Sequence, residues 1–228
     1  VNQYKSHEKA CVSLIYFLLA GSAFAQKSAT RIIFNVGVQK AGMYQDVWFE
    51  SVIYFERCSP LNQTPGYSYD FNMLYQVYSK KTDLSFVYGI GISQKSWNEI
   101  WITSGFGLNA DLLSYRKDLT YLGLFYGINY DFQIGKKTKL IAGTLINPEF
   151  LINDASEVYN SLGASIRMTV GFEYQAFDNL AVQLRPYFQT AVMNYGKTPD
   201  VASGFNSQNF IPYSFGVNLG IVLNRIAD

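Results

Sequence analysis

The stretch Leu162-Gly163-Ala164-Ser165-Ile166-Arg167-Met168-Thr169-Val170-Gly171-Phe172-Glu173-Tyr174 decides the fold. Every even position is apolar: Leu162, Ala164, Ile166, Met168, Val170, Phe172 and Tyr174. Every odd position is glycine, hydroxyl or charge: Gly163, Ser165, Arg167, Thr169, Gly171 and Glu173. An α-helix would place Arg167 and Met168 on overlapping faces. Alternation at 180° per residue is the mark of a strand with one apolar face.

Working outward, the same parity returns along the chain. Ile32 to Val38, Tyr69 to Val77, Leu84 to Ile92, Leu122 to Tyr130, Leu180 to Phe188 and Tyr213 to Leu223 all alternate, and a less regular run covers about Leu140 to Ile152. That predicts eight strands. The connections predicted over 43–66, 97–118, 153–160 and 196–209 are long, and those near 79–83, 132–138 and 176–179 are short. Long alternating with short is the pattern of an antiparallel up-and-down transmembrane β-barrel, with short turns on the periplasmic side and long loops outside. Val47–Arg57 and Trp101–Asn109 also have strand-like composition. They extend neighbouring strands, or they add two more and make ten.

In the seven clean runs, glycine and formal charge share one parity. Gly37, Gly89, Gly91, Gly123, Gly127, Gly163, Gly171, Gly216 and Gly220 fall with Asp70, Asp131, Arg167, Glu173 and Arg185. An eight-stranded barrel has an interior just wide enough for side chains to fill it. Glycine relieves crowding there, and charge on a lipid-facing wall is costly. The polar parity is therefore expected to face inward, with Asp70, Asp131, Glu149, Arg167, Glu173 and Arg185 forming a structural plug of ion pairs and hydrogen bonds. The inverted arrangement is a soluble periplasmic barrel holding a hydrophobic ligand. It needs an apolar interior and Arg167 on the outside. A narrow diffusion channel is the third arrangement, requiring the plug to rearrange.

Composition limits the function classes. Only 15% of the 228 residues are charged, against roughly 25% in ordinary soluble domains, and 17% are aromatic. The mean hydropathy of +0.01 is too low for a bundle of membrane-spanning helices. A net charge of +1 gives no basic excess for nucleic acid. Residues 1–25 read as a signal peptide: Lys5 and Lys9, an apolar run from Cys11 to Ala20, then Ala23-Phe24-Ala25 in the small-x-small form of a cleavage site. Its removal leaves 16 basic and 16 acidic residues, one cysteine (Cys58) and no histidine, because His7 departs. Outer-membrane hydrolases generally rely on a histidine base, so no catalytic set is expected. No metal site and no cofactor are expected either. The barrel domain is then 26–228, in the bacterial outer membrane, with membrane lipid as its surroundings and a monomeric barrel as its state.

Function in such a chain resides in its loops. The aromatic residues Trp48, Tyr54, Trp97 and Trp101 fall in the two longest predicted loops. They either contact a partner at the surface or pack against one another to stiffen the loops.

Four segments also resemble the PorT-like outer-membrane β-barrel family. Leu84-Ser85-Phe86-Val87-Tyr88-Gly89-Ile90-Gly91-Ile92-Ser93-Gln94-Lys95 is similar to that family's third strand, and Asp118-Leu119-Thr120-Tyr121-Leu122-Gly123-Leu124 to its fourth. Gly171-Phe172-Glu173-Tyr174 and Gly216 to Leu223 resemble its sixth and closing strands. The resemblance covers about 30–225. Gly123 and Phe125 depart from the family's usual Glu and Pro. The resemblance implies an outer-membrane barrel. Since some members are linked to type IX secretion, it also implies a surface or membrane protein as the partner to look for.

Overall fold

The computed structural model describes residues 30–49, 62–79, 82–104, 110–153, 160–196 and 205–225. Eight strands make up almost all of it: β1 (Thr30–Phe49), β2 (Asn62–Tyr78), β3 (Leu84–Ser104), β4 (Ala110–Gln133), β5 (Thr138–Leu151), β6 (Leu162–Phe177), β7 (Leu180–Ala191) and β8 (Phe205–Arg225). Each pairs antiparallel with its neighbours in sequence, and β1 pairs with β8 to close the barrel. Closure leaves no unpaired sheet edge.

The strand count is eight, not ten. The strand-like residues around 47 and 101 are extensions. β1 continues to Phe49 against β8, and β3 continues to Ser104 against β4. The loop expected over 97–118 is therefore largely strand, with only 105–109 lying between the two paired arms. The reason is local. Above the apolar band, the polar residues Gln94, Ser96 and Asn98 take the parity that carries the outward apolar residues below. Alternation of hydrophobicity fades there, while backbone pairing does not.

A strand needs only about 9–11 residues to cross a bilayer. β7 has 12 residues and β5 has 14. β3, β4 and β8 have 21, 24 and 21. The wall is thus low along β5–β7 and rises well above that height along β1, β3, β4 and β8. The short connections from β2 to β3, β4 to β5 and β6 to β7 all lie at the opposite end, here called the turn end.

Two prolines mark the low side. Pro148 and Pro186 have no N–H to give to a ladder. Pairing of β4 with β5 lapses between Gly123↔Glu149 and Tyr126↔Ile146. Pairing of β6 with β7 lapses between Thr169↔Tyr187 and Phe172↔Leu184. The β5–β6 hairpin between these two seams is itself continuously paired.

The two parities separate as the sequence predicts. On β6 the odd residues Gly163 to Glu173 are all buried, and Met168, Val170, Phe172 and Tyr174 are exposed. Ile32, Val36, Phe71, Ile90, Ile128, Ile146, Leu184 and Leu219 are among the outward apolar residues that continue this band around the wall. Arg167 is inside and the interior carries charge, so the inverted arrangement does not describe this molecule. Glycines serve the inward face by allowing close approach. At Gly216 a Cβ would fall 2.4 Å from the Tyr187 ring, which lies across that position.

Candidate functional site

The interior is layered along the barrel axis. Nearest the turn end is a polar layer built on Arg31 of β1. Its guanidinium donates to both oxygens of Glu173 on β6, at 2.7 and 3.0 Å. It also donates to the Tyr78 hydroxyl at 2.8 Å and to Asn224 Oδ1 at 2.6 Å. The Tyr78 hydroxyl donates in turn to Asp131 Oδ2 at 2.6 Å, and Lys139 Nζ stands 3.6 Å from the same oxygen. Outside this layer a mouth of about 480 Å³ opens toward the turn end, lined by Tyr78, Ser79, Thr82, Asp83, Asp131, Gln133 and Lys139.

Above it lies an apolar layer of Ile33, Leu74, Val87, Phe125, Leu145, Ala181 and Val222. Each is an inward residue on its strand, so the interior alternates apolar and polar along its length.

The central polar layer turns on Arg167. Its two terminal nitrogens donate to Asp70 of β2 at 2.7 and 3.0 Å, and its Nε donates to Gln189 Oε1 at 2.8 Å. The guanidinium plane sits 4.3 Å from the centre of the Tyr187 ring and 4.9 Å from that of Phe125. Asp70 is also held by Asn72, which in turn accepts from Asn35. Beside this group Glu149 of β5 accepts from Lys95, Tyr195, Asn147 and Gln189, so both of its oxygens are engaged.

A final apolar layer closes the end opposite the turns. It consists of Met43, Trp97, Leu119, Tyr121, Tyr195 and Phe210. Lys95 Nζ lies under it, 4.6 Å from the Tyr121 ring centre and 5.1 Å from that of Tyr195.

All six interior residues singled out from the sequence are buried here: Asp70, Asp131, Glu149, Arg167, Glu173 and Arg185. Three of the four carboxylates form close ion pairs with buried cations, and Asp131 pairs with the partly exposed Lys139. Arg185 differs. It donates to Thr169 Oγ1 at 2.6 Å and Asn129 Oδ1 at 3.1 Å, both neutral. Among the described residues no carboxylate reaches it within 4 Å. Adjacency on β6 and β7 does not give Arg185 the same partner as Arg167: Asp70 is held by Arg167 and Asn72, and Asp131 is engaged by Tyr78 and Lys139.

Arg31 and Lys95 belong to the network and fall outside the six. Both are odd-numbered on strands whose odd residues face inward, so extending the parity by one or two steps finds them. Tyr195 follows β7 and has no such signal.

The four aromatic residues placed in loops fare differently. Trp97 does not stand on a loop: it lies in β3 and is fully buried in the closing layer, offering no contact surface. Its odd parity continues from Lys95, so it points inward with it. Trp48 and Trp101 lie in β1 and β3, but their side chains fall outside the described residues, as does the whole of Tyr54. Residues 1–25, expected to be a signal peptide, and Cys58 also lie outside the described residues. Among the described residues, no group of three or more His, Cys, Asp or Glu could hold a metal ion.

The three close ion pairs share a direction. Arg31 of β1 meets Glu173 of β6, Asp70 of β2 meets Arg167 of β6, and Lys95 of β3 meets Glu149 of β5. Each joins one of the first three strands to the β5–β6 hairpin across the interior. The hairpin bounded by the two proline seams is the one the ion pairs hold.

No protein-family profile matches this sequence. No curated protein matches it either, so the PorT-like resemblance has no support from these comparisons. Solved structures with a similar fold include Neisserial surface protein A, at 11% identity and a TM-score of 0.48, covering 84% of this chain and 96% of that one. The outer membrane protein OprG from Pseudomonas aeruginosa is similar at 12% identity and 0.48, covering 88% and 98%. The outer membrane protease OmpT from Escherichia coli stands at 10% and 0.48, again covering 88% and 98%. At those identities and scores the likeness decides nothing further about this chain.

Proposed function

We propose that this chain is an integral outer-membrane β-barrel, closed to solutes, with a structural or interaction role at the cell surface. The observation that carries this is the inversion of the usual globular pattern, with ion pairs inside and a continuous apolar band outside. Exposing that band to water would cost roughly 25 cal/mol per Å², and charge is costly on a wall that faces hydrocarbon, which accounts for its place inside. The turn end then faces the periplasm and the raised arms of β1, β3, β4 and β8 stand outside. Membrane lipid surrounds a monomeric barrel, and a surface or membrane protein meets the raised arms. The interior network acts as a plug, not a catalytic centre. The oxygens of Glu149 are saturated, and the Arg167–Asp70 pair is sealed beneath aromatic rings.

The test is fractionation of the expressed full chain, with gel mobility compared before and after boiling and conductance recorded in a planar bilayer. A faster unboiled band in the outer-membrane fraction, without open-channel steps, supports the reading. A soluble periplasmic product without a mobility shift overturns it. Steady large conductance overturns the closed interior alone.

A further inference from the structure

Among the described residues, one cation on the outward face of the wall has no acidic partner. At the top of β4, Arg116 Nε lies 3.1 Å from Asp118, so charge there is neutralised. Lys40 on β1 is exposed and forms no ion pair among the described residues. It follows directly on the apolar run Ile32, Phe34, Val36 and Val38, so it stands at the upper rim of the apolar band, on the side away from the turns.

Its surroundings are aromatic on both sides. In register, Lys40 faces Tyr67 on β2 and Phe215 on β8. Its Nζ lies 5.9 Å from the centre of the Tyr67 ring. Two residues further on, Gly42 allows Tyr213 of β8 to lie across β1, where a Cβ would come within 2.6 Å of the phenol oxygen. Tyr67 and Tyr69 are 77% and 69% exposed.

An ammonium at the edge of hydrocarbon finds its complement in the phosphate of a lipid headgroup. Phenol hydroxyls on either side can donate to the same oxygens. Directly below, Val38 and Phe215 offer apolar surface to an acyl chain. Phosphate above hydrocarbon in one molecule matches cation above apolar wall in this one. We propose that Lys40, with Tyr67 and Tyr213, forms an external site for the phosphate group of a lipid in the leaflet away from the turns. The site rests on the membrane reading given above.

The test uses the full chain extracted from outer membranes in mild detergent. Binding of diphosphoryl lipid A, of the same lipid with its phosphates removed, and of inorganic phosphate is compared by native mass spectrometry. The diphosphoryl lipid is expected to bind more tightly than the dephosphorylated one. Lys40→Gln should lose about fivefold of that preference, and Arg116→Gln should keep it. Equal binding of the two lipids, or an unchanged preference in Lys40→Gln with its gel mobility shift intact, overturns the site alone. Competition by inorganic phosphate at equal concentration overturns the lipid as its occupant. Loss of the mobility shift in the unaltered chain overturns the membrane reading and the site together.

Discussion

Arg167 on β6 spans the interior to grip Asp70 on β2 through two hydrogen bonds, although 97 positions separate them in the chain. Both side chains are essentially without solvent contact. Removing one partner of such a pair strands a buried charge, at a cost of about 3–5 kcal/mol. Asp70→Asn and Arg167→Met should each lower the urea midpoint of the barrel, followed by the unboiled gel band. The double variant should recover most of the loss, because no unpaired charge remains.

The outward face makes the opposite demand. Leu219 is 59% exposed and lies level with Val36 and Leu184 on its two neighbours. Leu219→Arg in a membrane wall should cost about 2–4 kcal/mol near mid-depth. Ile152→Arg, beyond the end of β5, should cost less than about 1 kcal/mol. Refolding into lipid vesicles with denaturant titration measures both. Equal, small effects at the two positions would speak for a wall that faces water.

Parity within the band was readable without any structure. Leu162 to Tyr174 faces in and out as its alternation dictates, and the remaining clean runs follow it. Two things were hidden. The upward extension of β3 and β4 carries polar residues on both faces, so hydrophobic alternation ends at Ile92 and pairing continues to Ser104. Depth was hidden as well. Periodicity tells which side a residue faces, while the register between strands sets which residues share a layer. That is why Arg167 meets Asp70 and Arg185 meets Asn129 and Thr169, and why Trp97 sits inside the barrel, not on a loop.

Gly143 shows how tightly the interior is fitted. A Cβ there would lie 1.9 Å from Asn129 Oδ1 and 2.9 Å from the Ile128 carbonyl oxygen. Gly143→Ala must push Asn129 away, and Asn129 is one of the two acceptors holding Arg185. The expected loss is about 1–3 kcal/mol, read from the same denaturant titration. Gly135 lies in a turn with no atom nearer than 3.9 Å. Gly135→Ala should therefore produce no comparable change.

Trp97 is the largest fully buried side chain among the described residues. Trp97→Ala removes the centre of the layer that closes the end opposite the turns. A loss of about 3–5 kcal/mol is expected for a buried tryptophan. Planar-bilayer recordings should also show small-ion conductance rising above that of the unaltered chain. No rise would mean that the Arg167 layer seals the interior by itself.

The direction of the three ion pairs bears on how the barrel is born. Arg31, Asp70 and Lys95 are synthesised early, and Glu149, Arg167 and Glu173 only after β4 is complete. A sheet of β1–β4 alone would hold Arg31, Asp70 and Lys95 without their ion-pair partners, and those charges would keep water on its concave side. Dehydration of the interior must wait for the fifth and sixth strands to swing across. A chain cut after Gln133 would thus remain wet inside and fail to seat in a bilayer, however apolar its outer surface. Completion of the cylinder and expulsion of water become a single late event.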